Sequence, residues 1–196
     1  MSKSNKQNRG TGAGGSNTNK NGKKFEDDIS ISSYLLENEF TKKMLTKKNY
    51  YLECQHNDLS IKHMLQNSFR YYMKNKHNKK VIRVPDEIFI LERGDEKPIL
   101  MIVEIKNQNV EGSVETKLWA CDGLKYEYEY LYEDIFDVKY CVVVSNFLKN
   151  KFEDISSKKY QILKKYYEKR KINLFYGEDT RYHNKMINYL INFFMD

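Results

Sequence analysis

The chain has 196 residues, a formal net charge of +7 and 40% apolar residues, enough to bury the core of one domain. No stretch is long and apolar enough to predict a membrane span, and no secretory signal is recognisable. The three cysteines are widely spaced and lack the pairing of a zinc site, so they predict reduced thiols in a cytoplasmic protein.

Positive charge is distributed unevenly along the chain. Six cations and no acid lie in residues 1–24, so of the net +7 only +1 belongs to the remainder. Residues 1–22 are rich in Gly, Ser, Asn and Lys, and we expect a flexible basic N-terminal arm there. Residues 23–196 are predicted to form a single domain. Within it, residues 60–85 carry seven cations and no acid, whereas residues 111–137 carry eight acids and two lysines.

The predicted elements begin near Phe25 with one or two short helices, followed by lysine-rich and tyrosine-rich chain without a clear period. Apolar residues at helical spacing then predict a helix over residues 59–73. Strands are expected at 81–91 and 99–105, joined by a turn at 93–98. The remaining predicted elements are an acidic helix ending near 132, a strand at 138–145, a basic helix at 151–171, a strand at 172–176 and a helix at 186–194. This order predicts an α/β fold with a mixed β-sheet core flanked by helices.

The two central strands place three charged residues near one another. In an antiparallel hairpin with its turn centred near Asp95, Asp86 faces Glu104, because both are equally distant from the turn. Opposed residues have Cβ atoms roughly 4.5–5.5 Å apart. Lys106 lies two residues after Glu104 and therefore shares its face. Glu87 is expected to point to the opposite face, and we exclude it from the site.

Two carboxylates at this distance repel each other unless a cation compensates them. Carboxylate oxygens with water are the ligands that Mg²⁺ prefers, and the ion promotes ionisation of an attacking water. Lys106 is then expected to orient or deprotonate that water, or to stabilise negative charge on a phosphate. The alternative is that Glu104 and Lys106 lie on the solvated face of an ordinary strand.

The residues Pro85-Asp86 and Glu104-Ile105-Lys106 resemble the motif of the PD-(D/E)xK nuclease superfamily. The stretch containing Gln108, Gly112, Glu115 and Lys117 looks like the one that follows the catalytic lysine in many type II restriction endonucleases. The segment 21–26 resembles the first helix of such enzymes. The resemblance covers about residues 21–120 and, for the rest, only the order of the elements.

The resemblance implies a restriction-endonuclease-like sheet core, Asp86 and Glu104 as ligands of Mg²⁺, and Lys106 as the catalytic lysine. It implies Glu26 as a further metal ligand, with Asp27 and Asp28 as competitors, although an acid in the first turn of a helix is also favoured by the helix dipole. Gln108 would contact the scissile phosphate or remain a solvated amide. Such enzymes commonly act as homodimers on palindromic duplex DNA, and a cognate DNA methyltransferase is often encoded nearby.

A basic surface beside the hairpin is expected to bind DNA phosphates, although each of these lysines is also typical of a solvated helix face. The candidate DNA-binding residues are Lys62, Arg70, Lys74, Lys79, Lys80 and Arg83. The leading interpretation is a type II restriction endonuclease. The alternatives are a repair or structure-specific nuclease of the same fold, and a non-catalytic nucleic-acid-binding protein whose carboxylate pair is structural.

Overall fold

The computed structural model describes residues 16–108 and 114–193, with side chains from residue 23 onward except that of Val114. Its helices are α1 (Ser16–Ile29), α2 (Ser32–Glu37), α3 (Gln66–His77), α4 (Val114–Trp119), α5 (Cys121–Tyr132), α6 (Asn146–Glu153), α7 (Lys158–Lys169) and α8 (Tyr182–Asn192). Its strands are β1 (Thr41–Met44), β2 (Tyr50–His56), β3 (Leu59–Leu65), β4 (Glu87–Arg93), β5 (Ile99–Lys106), β6 (Asp137–Val144) and β7 (Ile172–Tyr176).

The seven strands form one mixed sheet whose spatial order follows the order of the chain. Strands β1 to β5 pair with one another in antiparallel orientation, whereas β6 pairs in parallel with β5 and β7 pairs in parallel with β6. Parallel neighbours need a crossover, and here helices α4 and α5 precede β6 while α6 and α7 precede β7. The predicted α/β fold, a mixed sheet flanked by helices, is therefore confirmed.

Helices cover both faces of the sheet and bury one core on each side. On the first face, called the α5 face, buried side chains come from α3, α5, α6 and α7, among them Phe69, Tyr128, Phe152 and Leu163. On the second, the α8 face, they come from α1, α2 and α8, among them Phe25, Leu35, Met186 and Leu190. Within the described part of the chain, no helix combines the length and apolar character needed to cross a bilayer.

The β4–β5 hairpin has the predicted register. Glu87 pairs with Val103 at one end and Leu91 with Ile99 at the other, so residues equidistant from Asp95 face each other. The chain reverses at Gly94, whose φ of +50° lies in the left-handed region that glycine adopts at little cost. Because helices cover both faces, every residue from Ile99 to Ile105 is buried.

The helix predicted over residues 59–73 is wrong in its first half. Leu59–Leu65 is strand β3, which pairs with β2 and β4, and only Gln66–His77 is helical. The four residues 61–64 are all buried, so the alternation that identifies a strand is absent from this segment. Strands β1 and β2 lie in the stretch for which the sequence predicts no element.

Two further boundaries differ from the prediction. The strand expected at 81–91 begins only at Glu87. The basic helix expected at 151–171 is two helices, α6 and α7, because the chain turns at Asp154, whose carboxylate accepts the Ser156 N–H at 2.9 Å and its hydroxyl at 2.6 Å. The acidic helix is likewise divided, into α4 and α5. In α5, Tyr128 and Tyr132 are buried in the core whereas Tyr126 and Tyr130 are exposed.

Candidate active site

The end of the β4–β5 hairpin opposite its turn positions three charged side chains. Asp86 is the residue before β4, and Glu104 and Lys106 lie at the end of β5. Successive strand residues point to opposite faces, so Glu104 and Lys106 both point to the α5 face while Ile105 packs on the α8 face. The structure therefore brings the three predicted residues to one corner of the sheet.

Lys106 contacts both carboxylates. Its Nζ atom forms a short hydrogen bond to Glu104 Oε2 and lies 3.8 Å from Asp86 Oδ2. Asp86 Oδ2 also accepts the backbone N–H of Ile105 at 2.7 Å. Backbone pairing of the hairpin stops at Glu87 and Val103, so the Asp86 side chain provides the acceptor that a continuing strand would have supplied. This hydrogen bond fixes the Asp86 carboxylate beside β5.

The ionisation of the three groups is interdependent because all are largely buried. Burial raises the pKa of Asp86 although the Lys106 ammonium opposes this, and burial raises the pKa of Glu104 in the same way. Burial alone would lower the pKa of Lys106, but Glu104 and Asp86 outweigh it and the net pKa is raised. Lys106 is therefore an ammonium at neutral pH.

A third carboxyl group, Glu26, reaches the same corner from α1. Burial raises its pKa, and the negative charge of Asp86 raises it further; both residues line the same cleft. Phe25 and Ile29 bury one side of α1 against the α8 face, and Glu26 lies between them in sequence at the helix edge. The candidate outer ligand is thus beside the pair, whereas its predicted competitors Asp27 and Asp28 are exposed.

A cleft of about 780 Å³ opens over this corner, between α1, the β1–β2 turn, the start of α3 and the end of β5. The acids along it are Glu26, Asp27, Asp86 and the buried Glu87, and the exposed lysines are Lys23, Lys48 and Lys117. Lys106 also lines the cleft, whereas Glu104, which contacts Lys106, is almost fully buried and is not among the lining residues. The exposed charges of the cleft are therefore three lysines and one acid, Asp27, a balance that suits a ligand that is itself an anion.

Glu87 lies on the α8 face, as expected. Its Oε2 atom is 3.5 Å from Nε2 of His63, and both side chains are buried. The His63 ring packs on Phe89, with ring centroids 4.8 Å apart. Glu87 therefore belongs to a separate buried pair, although its position at the end of the sheet also lets it line the cleft.

The predicted DNA-binding residues differ in their surroundings. Lys62 is buried, and its ammonium contacts Glu92 and lies 3.6 Å from Glu53, which corrects the expectation that it contributes to a DNA surface.

The other predicted DNA-binding residues are either paired with acids or exposed. Lys79 pairs with Asp134 at 2.7 Å and Arg83 with Glu127 at 3.3 Å. Arg70, Lys74 and Lys80 are exposed and, among the residues described, have no carboxylate within ion-pair distance. Arg70 and Lys74 lie one and two turns along α3 from its start, which lines the cleft.

Among the residues after Lys106, Gln108 is held through its backbone. Its N–H donates to Ser145 Oγ at 3.3 Å, and its carbonyl accepts the Ser145 hydroxyl at 2.9 Å. Glu115 pairs with Lys159 at 2.6 Å, and Lys117 lines the cleft. Gly112 lies outside the described residues. A contact between the Gln108 side chain and a phosphate stays a prediction.

The sequence reasoning missed the part of the cleft formed by the β1–β2 turn and the start of α3. The missed lining residues include Lys48, Asn49, Tyr50, Gln66 and Asn67. Strand pairing and a hydrogen bond of 3.2 Å from Tyr50 N–H to Ser68 Oγ bring the two segments together. The available signal was the run Lys47-Lys48-Asn49, which is typical of a basic turn once flanking strands are known.

The donor set is compatible with a hard divalent cation. In the described chain, no group of three or more His, Cys, Asp or Glu side chains is arranged to hold a metal by itself. Mg²⁺ needs only one or two carboxylates and completes its shell with water. Asp86 and Glu104 fit that requirement, since three carboxyl groups here share a single ammonium. Because Lys106 already contacts Glu104, a cation bound to this carboxylate would compete with that contact.

Searches with this chain against protein-family models, curated proteins and solved structures return no match. The functional assignment therefore depends on the geometry of the site.

Proposed function

We propose that this chain is a magnesium-dependent endonuclease that hydrolyses phosphodiester bonds of duplex DNA. The observation that carries the proposal is the contact of Lys106 with Asp86 and Glu104 at a cleft whose exposed charges are mainly lysines. A cleft lined by acids alone would repel a polyanion such as DNA, and a cleft lined by lysines alone would bind DNA without hydrolysing it. The combination supports binding and hydrolysis at one place.

Asp86 and Glu104 are the residues that would hold Mg²⁺, with Glu26 nearby on α1. When bound, the ion supplies Lewis acidity, promoting ionisation of an attacking water and offsetting negative charge on the phosphate. The hydrogen bond from Ile105 N–H keeps Asp86 oriented toward this position. Glu104 is almost fully buried, which limits the access of bulk water to that carboxylate.

Lys106 is better suited to stabilising charge than to accepting a proton. Two carboxylates keep its pKa above the ordinary value despite burial, so the side chain is charged at neutral pH. A charged ammonium stabilises the additional negative charge that develops on the phosphate during hydrolysis. This favours the last of the roles considered from the sequence over deprotonation of water.

The test is incubation of supercoiled plasmid DNA with the purified protein in Mg²⁺, compared with the same reaction in EDTA. Cleavage is expected only with Mg²⁺, and Glu104→Ala and Lys106→Ala are each expected to lower its rate by about 100-fold or more. Matched controls are Glu96→Ala and Lys97→Ala, at the turn of the same hairpin, which should cleave at the wild-type rate. Unchanged cleavage by either site variant would refute the assignment.

The products distinguish the finer alternatives. Following the resemblance to type II restriction endonucleases, we propose a short specific site, which predicts a discrete set of fragments from a sequenced plasmid. Nicking of branched DNA without discrete fragments would instead favour a structure-specific or repair nuclease. Binding without any cleavage would favour a non-catalytic nucleic-acid-binding protein.

A further inference from the structure

Strand β1 is the edge strand of the sheet and joins β2 through a lysine-containing turn. We call residues 41–50, comprising β1, the turn and the first residue of β2, the lysine hairpin. Successive strand side chains point to opposite faces, yet all four side chains of β1 are exposed. Neither helical layer therefore covers this strand, and both of its faces are open to a partner.

The turn of the lysine hairpin has a defined conformation. Leu45 and Thr46 donate their backbone N–H groups to Asn49 O at 2.8 and 3.0 Å. The Thr46 hydroxyl oxygen accepts the N–H groups of Lys48 at 3.2 Å and Asn49 at 2.9 Å. With the bond from Tyr50 N–H to Ser68 Oγ, these contacts fix the turn against the start of α3. The turn thus presents its side chains from an ordered backbone.

Four exposed lysines, Lys42, Lys43, Lys47 and Lys48, lie on the lysine hairpin. Among the residues described, none has a carboxylate within ion-pair distance, and the Lys42 ammonium lies over the Tyr50 ring, 3.9 Å from its centroid. Other surface lysines differ: Lys159 and Lys185, for example, each pair with an acid at 2.6 Å. The hairpin therefore carries uncompensated positive charge.

Protection of a sheet edge explains only part of this charge. Lysines on edge strands discourage unwanted pairing with other chains, and β1 is an edge strand. That reasoning accounts for Lys42 and Lys43. It does not account for Lys47 and Lys48, because they lie in the turn, where no ladder is exposed. Lys48 instead lines the cleft that contains Asp86 and Lys106.

We propose that the lysine hairpin binds the phosphate backbone of duplex DNA next to the point of hydrolysis, through Lys47 and Lys48. The inference extends the proposed function by assigning a DNA-contacting element, and it rests on that function for the identity of the polyanion. Backbone contacts of this kind supply affinity that is independent of base sequence and falls with salt.

The test is equilibrium binding of a fluorescein-labelled duplex of random sequence, measured by anisotropy in EDTA so that no cleavage occurs. The double variant Lys47→Ala/Lys48→Ala is expected to bind about 10-fold more weakly, and the slope of log K against log salt should decrease by about 2. The matched control is Lys164→Ala/Lys165→Ala, which removes two exposed lysines from α7 and should leave both values unchanged.

A second double variant, Lys47→Glu/Lys48→Glu, keeps Thr46 and the turn intact and should weaken binding further than the alanine variant. Wild-type affinity in the hairpin variants, or an equal loss in the α7 control, would overturn the inference. The binding assay needs no catalysis, so it can uphold the hairpin even if plasmid cleavage fails. The converse result is normal cleavage of plasmid DNA by the wild type together with wild-type DNA affinity in the hairpin variants. That result would reject the lysine hairpin as a DNA contact but leave the proposed nuclease function intact.

Discussion

Lys106 lies between two carboxylates, and this arrangement determines how all three groups contribute to stability. Because Glu104 and Asp86 raise the pKa of Lys106 in the folded chain above its ordinary value near 10.5, its contribution is fully present at neutral pH. The contribution is lost only as pH rises through that higher folded-state value. The same sign holds for Asp86 and Glu104, because burial raises their pKa values: their protonated forms favour the folded chain below the ordinary values near 3.8 and 4.5, and this gain is lost as pH rises through the raised values.

Replacing Lys106 with methionine keeps much of its volume but removes the charge. Asp86 and Glu104 are then buried without a cation, and we expect Lys106→Met to lose roughly 1–3 kcal/mol of unfolding free energy at neutral pH. The deficit should shrink as pH falls, because protonation of the carboxyl groups removes their repulsion. Urea denaturation of the wild type and the variant from neutral to acid pH measures this trend, with Lys97→Met as control. A deficit that grows toward acid pH would contradict it.

Glu104 offers a test of cation binding that does not depend on cleavage. If Asp86 and Glu104 hold Mg²⁺, the ion stabilises the folded wild type by mass action and raises its Tm. Glu104→Gln preserves the shape of the side chain, and we expect it to abolish most of this rise. Thermal denaturation with and without Mg²⁺ provides the measurement, and Glu96→Gln should respond like the wild type. An undiminished rise in Glu104→Gln would exclude the carboxylate as a ligand.

The surroundings of a residue are easier to predict from the sequence when its partners are close to it in the chain. Asp86, Glu104 and Lys106 were predicted together because one short turn fixes their register. Lys62 was misassigned because its partners Glu53 and Glu92 come from two other strands, and strand β2 was not recognised. Charge runs alone do not distinguish a buried ion pair from a DNA-binding lysine.

Helix α1, which carries Glu26, packs closely against Gly177, the residue that follows strand β7. A Cβ atom at this position would lie 2.7 Å from Cδ1 of Ile29, 3.1 Å from Cγ1 of Val143 and 3.3 Å from Cζ of Phe25. Two of these three contacts belong to α1, and the shortest cannot be accommodated without movement. A methyl group here would therefore displace the end of the Ile29 side chain and crowd Val143 and Phe25.

We expect Gly177→Ala to destabilise the fold by about 1–3 kcal/mol, because the added methyl group overpacks the interface of α1 with the sheet. Cleavage should fall as well, since displacement of α1 moves Glu26 away from Asp86. The matched control is Gly123→Ala in α5, where a Cβ meets no atom within 4 Å and alanine should stabilise the helix by up to about 1 kcal/mol. Equal stability of the Gly177 variant and the wild type would show that α1 has room to adjust.

Among the helices and strands, the sequence predicts best those whose residues follow one clear hydrophobic pattern. The apolar segments of β5, β6 and β7 were placed within one residue or two of their observed ends. Strand β3 was mistaken for helix because burial on both faces leaves no alternation, and its apolar residues also fit helical spacing. Strands β1 and β2 are polar and half-exposed, so their pairing depends on long-range contacts that composition does not encode.

The whole molecule consists of one sheet with two cores, and the two faces share every central strand. Residues alternate between the α5 face and the α8 face along β4, β5 and β6. A defect in either core therefore strains the same strands. The single domain over residues 23–196 stays a prediction, and the strands shared by the two cores predict cooperative unfolding.

Two buried side chains on opposite faces test that cooperativity. Phe152 of α6 and Met186 of α8 are fully buried, and alanine at each should cost about 3–5 and 2–5 kcal/mol respectively. Since the two side chains belong to different cores, the costs should add to within about 0.5 kcal/mol. Chemical denaturation followed by circular dichroism and by fluorescence should give a single coincident transition for each single variant. Separate transitions would indicate that the two cores unfold independently.

The attachment of α1 to the far end of the chain has a consequence for biosynthesis. Besides Gly177, its neighbours include His183, whose Nε2 atom lies 3.2 Å from the Ile29 carbonyl, and Tyr34 in the following helix contacts Asn184. A ribosome delivers Asp86, Glu104 and Lys106 well before these residues, and chains fold progressively as they emerge. The nascent polypeptide can therefore pair β4 with β5 before residues 177–184 emerge, whereas the wall of the cleft that bears Glu26 packs into place only after they have been synthesised.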